Sequence, residues 1–227
     1  MDKNRRIFVI SSALALAGCG GSTGAKLDAR YRVRFINNWT QTNFPIQFPA
    51  NAHLTGMVGA THTENIKFFD VGAMATIGVK NVAETGSKTE LLNEVAQEVN
   101  RGFADAALSG NGVNFGVAET TMEFSMRTSH PRVTLLSMLG PSPDWFTGVQ
   151  GILLYVENNW LSNLVIPLKV YDAGTDDGST FNSPNLVSSP AREVLLLSTS
   201  EVNSDFTNGV NRLTGEYVAT MIFEKLY

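Results

Sequence analysis

From Arg30 to Phe35 the chain alternates strictly, with Tyr31, Val33 and Phe35 interleaved with Arg30, Arg32 and Arg34. A period of two sends the apolar side chains to one face of a strand and the arginines to the other, as in an antiparallel strand buried on one side. The arginine face reads as a solvated surface. Comparable runs recur along the chain. Met122-Glu123-Phe124-Ser125-Met126 alternates. The stretches Arg132 to Leu139, Val149 to Val156, Leu164 to Val170 and Glu193 to Ser198 are short and apolar, and Tyr217 to Phe223 is rich in β-branched and aromatic residues. Many short strands at modest spacing predict an all-β protein, an antiparallel β-sandwich, with one or two short helices.

The convincing helical pattern begins near Ser87. Ser87 and Glu90 have capping-box spacing, and Leu92, Val95, Val99 and Phe103 recur at helical intervals. Glu90, Glu94 and Glu98 share another face, expected to be solvated. The stretch His53 to Thr85 is rich in glycine and alanine, which signals close backbone packing or bulges, and it holds no phosphate-cradling glycine motif. Pro45 and Pro49 make the stretch from Trp39 to His53 an irregular connection packed by its aromatics.

At the start of the chain, Lys3, Arg5 and Arg6 precede an apolar run from Ile7 to Ala17 that ends in small residues. Residues 1–18 therefore read as a signal peptide, too short for a membrane-spanning helix. Leu16-Ala17-Gly18-Cys19 resembles a bacterial lipobox, with Cys19, the single cysteine, as the lipidated residue. Residues 19–29 form a flexible tether, and residues 30–227 the folded domain. These features place the chain in a bacterial cell envelope, held to a membrane through Cys19. Residues 1–18 carry Asp2, Lys3, Arg5 and Arg6, a net +2, so the formal charge of −4 becomes −6 without them. An acidic chain without basic clusters argues against nucleic acid as a partner and against docking on anionic lipid.

The chemistry concentrates between Pro141 and Pro184. Asp144 precedes one apolar run and Asp172 follows the next, so adjacent strands would bring both to one end of a sheet. Asp176 and Asp177 fold back in a turn that Gly174 and Gly178 permit. Converging carboxylates repel one another unless a cation lies among them, and oxygen ligands in an irregular loop favour calcium. Asp and Gly are also ordinary turn residues, and the spacing is not that of an EF-hand. The spacing alone leaves both readings open.

Two long words in this region carry a resemblance. Met138-Leu139-Gly140-Pro141-Ser142-Pro143-Asp144-Trp145-Phe146-Thr147-Gly148-Val149 is one, and Tyr171-Asp172-Ala173-Gly174-Thr175-Asp176-Asp177-Gly178 with Phe181 and Ser183-Pro184-Asn185 is the other. With Trp39, Asn43-Phe44-Pro45, Ala52-His53, Gly59-Ala60-Thr61-His62, Val82-Ala83-Glu84-Thr85-Gly86 and His130-Pro131-Arg132, they resemble the spondin domain, of the F-spondin and mindin N-terminal type. The resemblance covers about Arg30 to the C-terminus. It implies a β-sandwich shaped like calcium-dependent phospholipid-binding modules, with a calcium ion held by loops at one end. By motif position it implies Asp144, Asp172 and Asp176 as metal ligands, with Asp177 a weaker match and backbone carbonyls near Trp145 or Ala173 completing the shell. It also implies an extracellular recognition or adhesion role without catalysis, toward a protein or glycan on a cell surface or matrix. Animal members carry disulfides, which a lone cysteine cannot supply.

A second function class remains on residues alone, a metal-dependent hydrolase of the envelope using His53, His62 or His130. Zinc catalysis needs three protein ligands in suitable geometry, and no His-Glu-x-x-His or His-x-His word occurs. Ser137 and Ser142 lack a nucleophile-elbow motif. Trp145 and Phe146 read either as core anchors or as a contact patch beside the ion.

Overall fold

A computed structural model describes residues 28–114, 116–197, 206–207, 210–211 and 217–227. The expected signal peptide and Cys19 lie outside the described residues. In chain order the elements are β1 (Ala29–Asn37), β2 (His53–Leu54), β3 (Val58–His62), α1 (Ile77–Thr85), α2 (Thr89–Asn100), β4 (Ala104–Ser109), β5 (Glu119–Met126), β6 (Arg132–Gly140) and β7 (Trp145–Leu153). Then follow β8 (Tyr155–Val156), β9 (Asn159–Trp160), β10 (Asn163–Leu168), β11 (Val170–Asp172), β12 (Leu195–Leu196), β13 (Phe206–Thr207), β14 (Val210–Asn211) and β15 (Ala219–Lys225).

Two antiparallel sheets face each other. One runs β10-β15-β1-β5, the other β12-β11-β7-β6-β3-β4 with β2 added beside β6. The alternation of β1 behaves as its sequence demands. Tyr31, Val33 and Phe35 are fully buried and pack with Phe124, Met221 and Phe223 against Leu135, Leu139 and Trp145 of the second sheet. Its arginines form an exposed ion-pair ladder, Arg30 and Arg32 to Glu123 and Arg34 to Glu119. Pairs so exposed contribute little stability each.

The second sheet is buried on both faces, which explains the unbroken apolar run in β6. Val133, Leu135 and Leu139 enter the core between the sheets, while Leu136 enters a second core with Phe146, Val79, Val82, Leu91 and Val95. The helices thus form a third layer. α1 was not foreseen in the glycine- and alanine-rich stretch. Thr76 caps it by accepting the Val79 N–H at 3.1 Å, and Glu94 from α2 accepts the Gly78 N–H at 2.7 Å. Gly78 lies under α2, where a Cβ would stand 2.6 Å from Leu91 Cα, so the small residue permits the helix crossing. Two expectations are corrected here. Ser87 is not the cap of α2. Its N–H bonds Asn81 O behind Gly86, which closes α1 at φ +70°. Glu94 is a tertiary cap rather than a solvated charge, and the buried stripe of α2 is Leu91 and Val95.

The run from Leu164 to Val170 does not form one strand. β10 pairs with β15 in the first sheet and β11 pairs with β7 in the second, so the chain changes sheets at Lys169. Thr147 Oγ1 holds that crossing by donating to Lys169 O at 2.7 Å. Pro167 is tolerated because β10 is an edge strand.

Candidate functional site

The acidic loop grows from the pairing of β7 with β11, in which Trp145 lies opposite Asp172. Ala173 N–H donates to Asp144 O at 3.1 Å, fastening the residue before β7 to the one after β11. Asp144 and Asp172 therefore reach the same end of the sheet, although through a shorter strand than the apolar run suggested. Gly174 then turns the chain at φ +73°, where a Cβ would lie 2.3 Å from Arg192 O. That turn aims three donors at one oxygen. Thr175 N–H, Thr175 Oγ1 and Asp176 N–H reach Asp144 Oδ2 at 2.7, 3.2 and 3.0 Å.

The other oxygen of Asp144 is orphaned. The residue is wholly buried, and its Oδ1 has no hydrogen-bond partner among the described residues. Asp172 accepts the Gly174 N–H at 2.7 Å through Oδ1. Burial pushes the Asp144 carboxyl up to about 7, the charge of Asp172 adds to the rise, and the donors on Oδ2 oppose it. Burial also raises Asp172, against the Gly174 N–H and Arg192, while Asp176 and Asp177 add repulsion.

Asp176 is buried beside Asp144, but its carboxylate is already engaged. Oδ1 accepts Gly178 N–H at 2.7 Å and Oδ2 accepts Leu186 N–H at 2.9 Å. Asp177 turns away to Ser188 Oγ at 2.7 Å and to Arg192. Among the described residues no three His, Cys, Asp or Glu side chains are gathered as a ready metal-binding group. A cation here would rest on Asp144 Oδ1, Asp172 and the remaining lone pairs of Asp176, with carbonyl oxygens and water filling the shell. Such a donor set is all oxygen and sits in an irregular loop, which fits calcium. A buried carboxylate oxygen without a donor is the kind of group a cation satisfies.

Thr175 and Arg192 carry much of this arrangement and were not foreseen. Thr175 stood inside a recognised word with no role assigned. Arg192 lies fifteen residues beyond Asp177, where no spacing rule connects them.

The three histidines form no shared metal group among the described residues, and His53 lies opposite Gly140, which leads into the acidic loop. His62 is buried in β3, where Nε2 meets Thr134 Oγ1 at 2.7 Å and Nδ1 meets Thr63 O at 2.6 Å. Burial lowers its pKa, which keeps the ring neutral. His53 Nδ1 meets Asn51 O, and His130 sits in a turn between Ser129 Oγ and Gly102 O. Each ring is hydrogen-bonded to neighbouring backbone or hydroxyl oxygens.

Comparison with known proteins gives this loop a context. The Spondin_N family model matches residues 29–212. The chain belongs to the Spondin_N family. It is 30% identical over 208 residues to Spondin-2 of Rattus norvegicus, an alignment covering 88% of this chain and 63% of that protein. With Spondin-2 of Homo sapiens it shares 31% over 201 residues, 85% of this chain and 60% of the other. With Spondin-1 of Rattus norvegicus it shares 33% over 173 residues, covering 73% and 21% respectively. This spondin domain thus spans less than two thirds of the curated relatives it matches. The acidic loop and every core strand except β15 fall inside the matched span.

Proposed function

We propose that this spondin domain is a calcium-binding recognition or adhesion module that works outside the cytoplasm and performs no catalysis. One observation carries the calcium part. Asp144 is buried with an unpartnered oxygen and is repelled by Asp172, an arrangement that a bound cation would relieve. Asp144 and Asp172 contribute charge, Asp176 adds oxygen lone pairs while fixing the loop, and the ion would lock β7, β11 and the 174–178 turn into one rigid end. The recognition part rests on family membership. A partner would be a protein or glycan on a cell surface or matrix.

Calorimetric titration of the metal-stripped full chain tests the ion. One calcium site is expected, lost in Asp144→Asn and in Asp172→Asn. Asp172→Ala is also expected to lower the melting temperature in calcium while changing little in chelator, since calcium stabilises only the state that binds it. No heat of binding up to millimolar calcium would reduce the loop to turn chemistry.

The same reading anchors the module to the bacterial envelope through lipid on Cys19. Palmitate labelling in a lipoprotein-processing bacterium should mark the chain and vanish in Cys19→Ser. Unchanged labelling of that variant would remove the anchor.

A further inference from the structure

A cavity of about 370 Å³ lies between the connection that follows β1 and the turn that enters β5. Asn37, Trp39, Gln41, Phe48, Gly116 and Val117 are among its lining residues, and among the described residues none that lines it is charged. The nearest acid in sequence, Glu119, is held away by Arg34 at 2.6 Å. Phe48 is half-buried, and Val117 is 44% exposed although large and apolar. Gly116 turns at φ +79°, and apart from its chain neighbours nothing among the described residues lies within 4 Å of where a Cβ would stand.

We propose that this cavity binds an uncharged, mainly apolar ring compound carrying one hydrogen-bond acceptor. Ligand sites run from about 300 to 1,000 Å³, apolar with a few placed polar groups, and this one sits at the small end, sized for one or two rings. An ion entering it would shed water and meet no counter-charge. A pure hydrocarbon would displace water from an amide that then has no partner. That amide is Asn37, whose Oδ1 already accepts the Trp39 N–H at 2.9 Å, which leaves its Nδ2 hydrogens to donate. The cavity also has a fixed place relative to the acidic loop. Phe48, Trp39, Phe181 and Trp145 touch in series through edge-on and tilted ring contacts, with centroids 5.7, 5.4 and 5.1 Å apart, and Trp145 follows Asp144. Two chemically different sites, one for a cation and one for a neutral ring, therefore share one end of the sandwich.

The test uses 6-propionyl-2-dimethylaminonaphthalene, an uncharged two-ring ketone whose emission shifts to the blue in apolar surroundings. Titrated into the full chain in detergent-free buffer, it should bind one saturable site. Val117→Asp puts a carboxylate on the exposed wall and should weaken binding about tenfold or more, with the melting temperature unchanged. A dimethylaminonaphthalene sulfonate, similar in size but anionic, should bind about tenfold more weakly to the parent chain. Binding should persist in chelator and in Asp172→Asn, so failure of the calcium reading leaves this one standing. Absence of saturable binding, indifference to Val117→Asp, or equal affinity for the sulfonate would each overturn the proposal.

Discussion

Gly59→Val is expected to abolish cooperative folding, and Gly59→Ala to cost about 3 kcal/mol, the upper end of ordinary overpacking. Gly59 sits in β3 opposite Leu135 of β6. A Cβ there would lie 1.9 Å from Thr134 O and 2.7 Å from Thr134 C. Both are backbone atoms, so no rotamer change can make room. On the other flank, Gly148 of β7 pairs with Leu136, and a Cβ there would stand 2.1 Å from Leu135 O. The central strand is thus gripped from both sides by residues without side chains. It can yield only by separating from a neighbour, which would open both cores at once. A domain of ordinary stability, about 5–15 kcal/mol, tolerates one such loss but not the larger wedge of valine. Urea unfolding checks this. A Gly59→Ala midpoint within about 0.5 kcal/mol of the parent would show that the sheet yields there more easily than its geometry indicates.

That grip also shows what was legible in advance. Small residues between His53 and Thr85 signalled close backbone approach, and Gly59 and Gly78 make it, one between strands and one between helices. The alternation around Tyr31 fixed the inner face of β1, because a period of two leaves one arrangement when one face is polar. A continuous run such as Arg132 to Leu139 carries no such information. It is buried on both faces, and only the position of the helices explains why. The run Leu164 to Val170 looked like one strand because apolar character does not mark which sheet receives a residue. The change of sheet at Lys169 depends on Thr147, which is remote in sequence. α1 was hidden because its apolar residues are small, and its caps come from Thr76 and from Glu94 on the next helix.

The acidic loop divides along the same line. Asp144, Asp172 and Asp176 were legible because words of sequence place them, and strand pairing brings the first two together. What decides their chemistry is a set of long-range contacts. Arg192 returns across the loop to neutralise Asp177, while Thr175 and Asp176 commit their N–H groups to a single oxygen of Asp144. Of the loop carboxylates, Asp177 is therefore compensated inside the fold, Asp176 is hydrogen-bonded through both oxygens, and Asp144 with Asp172 is left in deficit. Spacing cannot rank four aspartates in this way.

The deficit leads to a reversal of stabilities in Asp144→Asn. Without metal, the Asp144 carboxyl ionises near its ordinary 3.8 in the unfolded chain but near 7 in the fold. The fold keeps a proton that the unfolded chain releases, so stability from this group is full below 3.8 and is lost as pH rises to 7. At pH 8 the ionised, buried carboxylate costs the metal-free fold about 4 kcal/mol at 1.36 kcal/mol per unit. Asparagine retains an oxygen for Thr175 and Asp176 and removes the charge that Asp172 repels. It forfeits some strength in hydrogen bonds that had a charged acceptor, which leaves a net gain of about 1–2 kcal/mol. In chelator at pH 8, Asp144→Asn should therefore melt several degrees above the parent, since 1 kcal/mol moves a domain of this size by about 2–4 °C. Calcium at a hundredfold over its dissociation constant should then raise the parent by about 2.7 kcal/mol and leave the variant where it was. The order of melting temperatures inverts between the two buffers. At pH 5, where the parent carboxyl stays protonated in the fold, the advantage of the variant in chelator should shrink. A variant that melts below the parent in both buffers would mean that Asp144 acts as a hydrogen-bond acceptor for the 174–176 turn, and that its charge is not what the loop is built to hold.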